Sequence, residues 1–264
     1  MVTRERRIGD TGLMTLFCHP LATLLAALRF LTILPVRWGS RHDERFFAAS
    51  IFWFPAIGLI LGLAAALVCR GLLMLLPVPA ATVVALFVPI VLSGGLHLDG
   101  LADSGDGLLS ARPREQILAI MRDSRIGAMG VIVLLAVLLI RFTALGSLPG
   151  FLLFPALILM PLAGRTAILL SMAFLPYARE GGGLGRLFYS PDSRLAATWS
   201  CLVLVAATAA LTPNFIFQVL AAVVTTALLF GLWCRSKIGG ATGDTLGGVS
   251  ELTETIVVLV LTAL

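Results

Sequence analysis

Residues 151–175 read FLLFPALILMPLAGRTAILLSMAFL, and Arg165 is the one charged side chain among them. A helix needs about 20 apolar residues to cross the hydrocarbon core of a bilayer, so this stretch predicts a transmembrane helix. The whole chain has the same character, because 59% of its 264 residues are hydrophobic and 12% are charged. Water-soluble domains contain about 25% charged residues and disordered chains are more polar still, so the composition excludes both classes.

Six further apolar stretches predict additional membrane spans, which gives about seven in total. They cover residues 47–68, 77–96, 126–148, 195–211, 213–234 and 250–264. The apolar stretch 13–35 also contains His19, Pro20 and Arg29, and we expect it to form an interfacial or re-entrant helix rather than a full span. The sequence therefore predicts an all-α, polytopic integral membrane helix bundle. We expect one membrane-embedded domain over residues 1–264, in which 1–46 form a cytoplasmic or interfacial N-terminal segment.

The positions of the charged residues predict the orientation of the bundle. The segments 1–46, 97–125, 176–194 and 235–249 hold 16 of the 19 Lys and Arg residues and 12 of the 14 acids. Because loops rich in Lys and Arg stay in the cytoplasm, we expect the N-terminus and these segments on the cytoplasmic side of the membrane. Arg141 is predicted near an outer helix end, where its side chain can reach the interface, and it is given no role. The net charge of +5 follows from this topology and does not indicate nucleic-acid binding.

The densest cluster of polar residues is the stretch 94–107, GGLHLDGLADSGDG. Asp99, Asp103 and Asp106 stand at i, i+4 and i+7, so a helix would present them on one face. Like charges at this spacing destabilise a helix, and a hard cation such as Mg²⁺, which prefers carboxylate oxygens, removes the conflict. The pattern predicts a Mg²⁺ site at these three residues beside His97, which is a candidate general base. The alternative is a solvated loop after the second span.

Several arginines lie close to this acidic stretch in the predicted topology. Arg122 and Arg125 immediately precede the third span, Arg165 lies inside the fourth, and Arg179 and Arg186 flank a glycine-rich loop. Arginine matches phosphate oxygens bidentately, so carboxylates, Mg²⁺ and arginines together predict a site for a diphosphate. The alternatives are that the juxtamembrane arginines only satisfy topology and lipid headgroups, and that Arg165 belongs to a structural ion pair.

A second glycine-rich stretch, GGATGDTLGG at residues 239–248, precedes the last predicted span. Its exposed backbone N–H groups can bind anions. Asp244, Glu251 and Glu254 add carboxylates at the predicted mouth of that span, and we expect all three to contribute to substrate binding. The alternative is that Ser250 caps the helix and the two glutamates simply occupy its first turn.

Taken together, these segments resemble the cobalamin synthase family, the membrane-bound adenosylcobinamide-GDP ribazoletransferases. The resemblance covers nearly the whole chain in order. One departure is Leu98, since many family members are expected to have an acid there, and this puts one possible metal-binding carboxylate in doubt. The residues that carry the resemblance are FLTILP at 30–35, FPAIG at 54–58, the stretch 97–107, MRDSRIG at 121–127, Gly164 with Arg165, 176–179 with 183–185, and 240–254.

The resemblance implies an activity late in coenzyme B12 assembly. A family member transfers the adenosylcobinamide-phosphate group of adenosylcobinamide-GDP to the 5′-hydroxyl of α-ribazole, or to α-ribazole 5′-phosphate, and releases GMP with Mg²⁺ as cofactor. By analogy, Asp99, Asp103 and Asp106 would hold the metal, and His97 or one of these carboxylates would take the proton of the attacking hydroxyl. The expected partners are these small molecules and the lipid bilayer. A homo-oligomer, or a complex with other late cobalamin-pathway enzymes, stays open.

Two other classes of membrane protein remain as alternatives. A CDP-alcohol phosphotransferase of lipid synthesis uses similar acids on helices, but its DGxxAR pattern is absent, because Asp103 stands where the arginine would be. A transporter should have inverted repeats and polar residues in mid-span, and the sequence has neither beyond Arg165. Release of GMP would distinguish an enzyme from a transporter, and the choice of substrate would distinguish the two enzymes.

Overall fold

The computed structural model describes residues 12–36, 46–179 and 183–263. Within these ranges the regular secondary structure is helical, with 3₁₀ turns at Ile51–Trp53, Leu184–Phe188 and Pro213–Phe215. The α-helices are α1 (Gly12–Cys18), α2 (Pro20–Leu31), α3 (Phe47–Ser50), α4 (Phe54–Leu72), α5 (Val78–Leu92), α6 (Leu96–Leu108), α7 (Arg114–Ile120), α8 (Ala128–Ser147), α9 (Gly150–Phe174), α10 (Ser193–Leu211), α11 (Ile216–Ile238) and α12 (Gly243–Thr262).

The predicted membrane bundle is confirmed by the length and apolar character of these helices. In the described part of the chain, six helical segments can cross a membrane, and two bent helix pairs raise the number to as many as eight. One bent pair is α1 with α2, at 110°, which corresponds to the predicted interfacial or re-entrant segment. The six segments are Phe47–Leu72, Ala128–Ser147, Gly150–Phe174, Ser193–Leu211, Pro213–Ile238 and Gly243–Thr262.

The second bent pair separates the acidic motif from the span that precedes it. The predicted span 77–96 ends earlier than expected, because α5 stops at Leu92 and the chain turns by 89° before α6 begins. Gly94 and Gly95 form this turn with φ values of 62° and 72°, a left-handed conformation that glycine adopts without strain. With 13 residues, α6 rises only about 20 Å, which is too short to cross a bilayer by itself. The acidic motif therefore lies on a short helix of its own after the bend, and not at the end of a straight span.

The centre of the bundle is formed by α9 and α12. Of the six spanning segments α9 is the most buried and α12 is the next. Helix α9 packs against α4, α10, α11 and α12, while α12 also packs against α6 and α8. Charged side chains in the middle of these two helices reach neither lipid headgroups nor water, so they must pair with one another.

The last helix begins earlier than the sequence predicted. Thr242 is its N-cap, because the Thr242 hydroxyl accepts a hydrogen bond from the Thr245 N–H and the Thr245 hydroxyl accepts one from the Thr242 N–H. This reciprocal cap replaces the alternative in which Ser250 caps the helix. Glu251 and Glu254 consequently lie two to three turns inside α12 and are buried, not at its mouth.

Candidate active site

The crossing of α6 and α12 joins acidic residues from distant parts of the sequence. Gly100 lies directly against α12, since a Cβ atom at this position would be 2.7 Å from the carbonyl oxygen of Asp244. Gly247 is also close to α6, because a Cβ atom there would lie 3.1 Å from the carbonyl oxygen of His97, which is tighter than ordinary van der Waals contact. The close approach of the two backbones brings the Asp103 carboxyl under the electrostatic influence of Asp244.

A cavity of about 250 Å³ opens beside this crossing. Its polar wall consists of His97, Asp99, Tyr177, Arg179 and Asp244. Four of these five were predicted as site residues from the sequence. The remaining lining is mainly aromatic and aliphatic, together with glycines of α6, α12 and the segment after α9.

Arg179 is the cation of this polar wall. One of its terminal nitrogens donates a hydrogen bond to the Asp244 carboxylate. Its Nε has no hydrogen-bond partner among the described residues, although it is buried. Arg179 thus keeps donor capacity for an anionic ligand while Asp244 holds the guanidinium in position.

The segment that carries Arg179 is held by the backbone and by a second arginine. The Ala178 N–H donates to the Ala241 carbonyl oxygen at 2.8 Å, and the Ala241 N–H donates to the Pro176 carbonyl oxygen at 2.9 Å. Arg114 donates to the carbonyl oxygens of Ile238 at 2.9 Å and Ala178 at 2.8 Å. Arg114 therefore supports the site by tying two loops together.

The site has more negative than positive charge. Burial, together with the carboxylates of Asp244 and Asp99, raises the pKa of the Asp103 carboxyl to about 7, although Arg179 acts in the opposite direction. A carboxyl whose pKa is raised in this way gains most from a cation nearby, because the cation offsets the repulsion between the acids. The electrostatics of the wall therefore favour a positively charged ligand.

Asp106, the third acid of the predicted metal set, has a different environment. Its carboxylate oxygens accept hydrogen bonds from the Gly127 N–H at 2.6 Å and from the Gly130 N–H at 2.8 Å. These N–H groups belong to the first turn of α8, where a negative charge also interacts favourably with the helix dipole. In this structure Asp106 caps α8.

A buried ion network lies deeper in the bundle. Arg165 donates to Glu254 Oε1 at 2.6 Å, and another of its nitrogens is 3.4 Å from His97 Nδ1. Arg141 contacts Glu251 Oε2 at 2.9 Å and Glu254 Oε2 at 3.3 Å. The two arginines and two glutamates balance in charge, and His97 connects them to the cavity.

The network corrects two expectations from the sequence. Arg141 does not extend to the membrane interface, since it is 1% exposed and makes contact with both glutamates. Glu251 and Glu254 do not line the cavity. Arg165 is engaged by Glu254, which is the ion-pair alternative for this residue.

Comparison with known proteins identifies the family. A family model described as cobalamin-5-phosphate synthase matches residues 23–262. The chain belongs to the cobalamin-5-phosphate synthase family. The resemblance inferred from the sequence motifs is thereby confirmed, and the matches give no support to a CDP-alcohol phosphotransferase or a transporter. No solved structure matches the chain.

Relatives within the cobalamin-5-phosphate synthase family cover almost the entire chain. A protein of Brevibacillus brevis is 41% identical over 243 residues, which are 90% of this chain and 96% of the relative. A protein of Pseudomonas putida is 41% identical over 88% of this chain and 95% of its own length. A protein of Clostridium acetobutylicum is 33% identical over 88% and 92%, respectively. All three carry the name adenosylcobinamide-GDP ribazoletransferase.

In this member of the cobalamin-5-phosphate synthase family, Arg179 is the predicted phosphate-binding arginine that lines the cavity. Arg122, Arg125 and Arg186 are exposed. Arg125 forms a surface pair with Asp123, and its hydrogen bonds lower the pKa of the Asp123 carboxyl to about 2.

The predicted Mg²⁺ site stays a prediction. Among the described residues, no three His, Cys, Asp or Glu side chains converge closely enough to hold a metal ion by themselves. Mg²⁺ in phosphate-transferring sites usually takes one or two carboxylates and completes its coordination with substrate phosphates and water. The carboxylates of Asp99, Asp103 and Asp244 fit that requirement in donor type and in charge.

Sequence reasoning missed the aromatic side of the site. Phe30, Phe54 and Phe188 line the cavity and come from three separate segments, α2, α4 and the 3₁₀ turn after α9. Phe30, Phe54 and Tyr177 were recognised as parts of motifs but not as wall residues. Nothing in the linear spacing of these residues indicates that they meet, because their contact arises from the tertiary packing of the bundle.

Proposed function

We propose that this chain is an adenosylcobinamide-GDP ribazoletransferase. It transfers the adenosylcobinamide-phosphate group of adenosylcobinamide-GDP to α-ribazole or α-ribazole 5′-phosphate and releases GMP. The observation that carries the proposal is the cavity wall on which acids from α6 and α12 meet Arg179, in a chain of this family. Transfer from a diphosphate requires cations and acid–base groups at one place, and this wall provides them.

The reaction exchanges one phosphorus–oxygen bond for another. A hydroxyl oxygen of the acceptor attacks the phosphorus that is attached to cobinamide, and a new O–P bond forms. The bond from that phosphorus to the oxygen shared with GMP breaks, and GMP leaves with this oxygen and its electron pair. The proton of the attacking hydroxyl passes to a base of the site.

The chemistry of the two acceptors narrows the choice of the attacking hydroxyl. In α-ribazole 5′-phosphate the 5′-oxygen is already esterified, so it cannot attack a second phosphorus. The family description, cobalamin-5-phosphate synthase, refers to a product that keeps such a phosphate. We therefore infer that a secondary ribose hydroxyl attacks in both acceptors. This replaces the 5′-hydroxyl that the family resemblance implied for α-ribazole.

His97 is suited to donating a hydrogen bond and poorly suited to accepting a proton. Arginine has only donors, so the contact of Arg165 with His97 Nδ1 makes that nitrogen an acceptor. With Nδ1 accepting from Arg165, the His97 ring carries its proton on Nε2, and the neighbouring guanidinium charge disfavours a second proton. The base is then a carboxylate, and Asp99 is the exposed carboxylate of the cavity wall.

The remaining roles, phosphate binding and metal binding, fall to Arg179 and the acids. The guanidinium of Arg179 would bind phosphate oxygens of the donor while Asp244 keeps it oriented. Asp103 and Asp244 would hold Mg²⁺ together with those oxygens, which leaves Asp99 as the base. When bound, Mg²⁺ neutralises charge on the diphosphate. Asp106 is left out of this set because it caps α8.

The charge distribution supports a bacterial inner membrane location with the active site on the cytoplasmic side. The acids of the site and Arg179 lie in segments that the Lys and Arg distribution assigns to the cytoplasm. Guanosine nucleotides are cytoplasmic, so this orientation gives the enzyme access to its donor and releases GMP where it can be reused.

The proposal is tested by GMP release from protein reconstituted in nanodiscs. Wild type should release GMP from adenosylcobinamide-GDP only when Mg²⁺ and α-ribazole are present. Asp103→Asn and Asp244→Asn should lower turnover by about 100-fold or more, as expected when an electrostatic contact to the transition state is lost. Asp123→Asn is the matched control, because Asp123 pairs with Arg125 at the surface, and it should retain activity. Release of CMP from CDP-diacylglycerol, or full activity of both site variants, would contradict the proposal.

A further inference from the structure

The proposed reaction does not by itself say which substrate group occupies the aromatic part of the cavity. Phe30, Phe54 and Phe188 form a cluster in which the ring centroids of Phe30 and Phe188 are 4.1 Å apart. The centroids of Phe54 and Phe188 are 5.7 Å apart, and those of Phe30 and Phe54 are 6.4 Å apart. The three rings pack against one another, and Phe54 and Phe188 are each 2% exposed, so the cluster forms a tightly packed apolar boundary of the cavity in which Phe30 is the most accessible ring.

The neighbouring lining is aliphatic. Ile168 and Met172 of α9 and Leu246 of α12 contribute to it. None of these side chains donates a hydrogen bond, and the polar side chains of the lining are those of His97, Asp99, Tyr177, Arg179 and Asp244. A ligand group in the apolar part would therefore lose its hydrogen bonds to water without replacement.

The three bulky groups of the reaction differ in how they fit this space. A corrin ring with its amide side chains is far larger than a cavity of about 250 Å³. Guanine has donors and acceptors along its edge, and burying them without partners costs binding free energy. The base of α-ribazole is a dimethylated benzimidazole, which is flat and aromatic and has no exocyclic donor or acceptor. It matches both the size and the chemistry of the cavity.

We propose that this cavity is the subsite for the benzimidazole base of α-ribazole, with Phe30, Phe54 and Phe188 as its aromatic wall. The inference rests on the proposed transferase function. With the base among the aromatic rings, the ribose lies toward Asp99 and His97, where its hydroxyl is needed. Asp99 also lines a second, more open depression of about 630 Å³ on the side of Ser93 and Ile126. The acceptor and the bulkier donor can thus meet at Asp99 from two sides.

The test fills the cavity and measures each substrate separately. Ile168→Phe adds a ring to the aliphatic lining, and it should raise the KM for α-ribazole at least tenfold and leave the KM for adenosylcobinamide-GDP within twofold. Ile132→Phe, the same substitution at a 54% exposed position of α8, is the matched control and should change neither constant. Phe188→Leu, which removes an aromatic face but keeps an apolar side chain, should weaken α-ribazole several-fold and covers the case in which Ile168→Phe does not fold.

Equilibrium binding of α-ribazole to protein in nanodiscs, without donor, separates this inference from the proposed function. Wild type should bind α-ribazole better than the α-riboside of adenine, whose ring nitrogens and amino group would be left unpaired, and Ile168→Phe should reduce α-ribazole binding tenfold. If binding behaves in this way but wild type releases no GMP, the proposed function fails and the subsite stands. An increase confined to the donor KM would place guanine in the cavity, and unchanged constants for both substrates would show that neither base enters it. Either result overturns the inference.

Discussion

Replacing Glu254 by Gln is the sharpest test of the buried ion network. Glu254 is 2% exposed, with one carboxylate oxygen 2.6 Å from Arg165 and the other 3.3 Å from Arg141. Glutamine keeps the shape and volume of the side chain but removes its charge. The two arginines would then share a single anion, Glu251, and the interior of the bundle would carry one uncompensated positive charge.

The expected loss of stability is large because nothing in the surroundings can replace the charge. Removing one partner of a buried ion pair costs about 3–5 kcal/mol, since the other partner stays buried and unpaired. Proteins have about 5–15 kcal/mol of total stability, so the variant loses a substantial fraction of it. For a chain of this size the melting temperature should fall by roughly 10 °C.

A second substitution separates charge from packing. Arg165→Gln combined with Glu254→Gln removes both charges and leaves the Arg141–Glu251 pair, at 2.9 Å, in place. The double variant should be more stable than Glu254→Gln alone, with a coupling free energy of about 2 kcal/mol or more between the two sites. If the effects were purely steric, they would add, and the double variant would be less stable than either single variant, Glu254→Gln or Arg165→Gln.

Thermal unfolding followed by circular dichroism in detergent micelles or nanodiscs measures all three variants. Glu115→Gln is the matched control, because the Glu115 side chain is 78% exposed and its contact with Arg114 is 3.8 Å long. Exposed pairs of this kind contribute about 0–1 kcal/mol, so the control should melt close to wild type. A Glu254→Gln protein that melts together with the control would refute the network as a source of stability.

Two further predictions concern the acidic motif and the orientation of the chain. Asp106→Asn should lower the free energy of unfolding by about 1–3 kcal/mol, because the hydrogen bonds from Gly127 and Gly130 lose a charged acceptor. The Mg²⁺ concentration required for GMP release should not change. If that requirement rose while thermal stability stayed normal, Asp106 would belong to the metal-binding residues. In a chain whose native cysteines are replaced by alanine, Ser147→Cys at the end of α8 should react with a membrane-impermeant maleimide on intact cells, and Ser236→Cys near the end of α11 should not. The reverse labelling pattern would contradict the proposed topology and indicate the opposite orientation in the membrane.

The sequence was sufficient to predict those parts of the fold that depend on composition. A 25-residue stretch with one charge, such as the one around Arg165, can only be a membrane span, and α9 covers Gly150–Phe174. The i, i+4, i+7 spacing of Asp99, Asp103 and Asp106 likewise predicted a helix, and the structure has α6 there. Helix ends were harder, because the glycine-rich start of α12 is typical of a loop. Packing of Gly247 against α6 overrides that local preference, so the helix begins at Gly243.

The pairing of charges could not be predicted from spacing. Arg141 and Glu251 are 110 residues apart, and the sequence shows only that both fall within predicted spans, not which faces of those spans meet. Arg141 was therefore expected to reach the interface as an isolated arginine does. Gly164 contributes to the true arrangement, since its missing side chain leaves space for Glu254, whose Oε1 would lie 2.7 Å from a Cβ atom there. Such a role for a glycine becomes visible only in three dimensions.

The acids of α6 and α12 separate into two groups with different functions, and Arg165 connects them. Glu251 and Glu254 lie in the interior, where they neutralise two arginines and hold the helices together. Asp99 and Asp244 line the cavity, where the Asp99 charge is left for a ligand and Asp244 also orients Arg179. Because Arg165 donates to Glu254 and contacts His97, the interior network also fixes the proton of the imidazole on Nε2. A neutral donor at His97 leaves proton transfer to a carboxylate, which is why the acids at the open end of the α6–α12 crossing, and not the histidine, are the residues on which catalysis should depend.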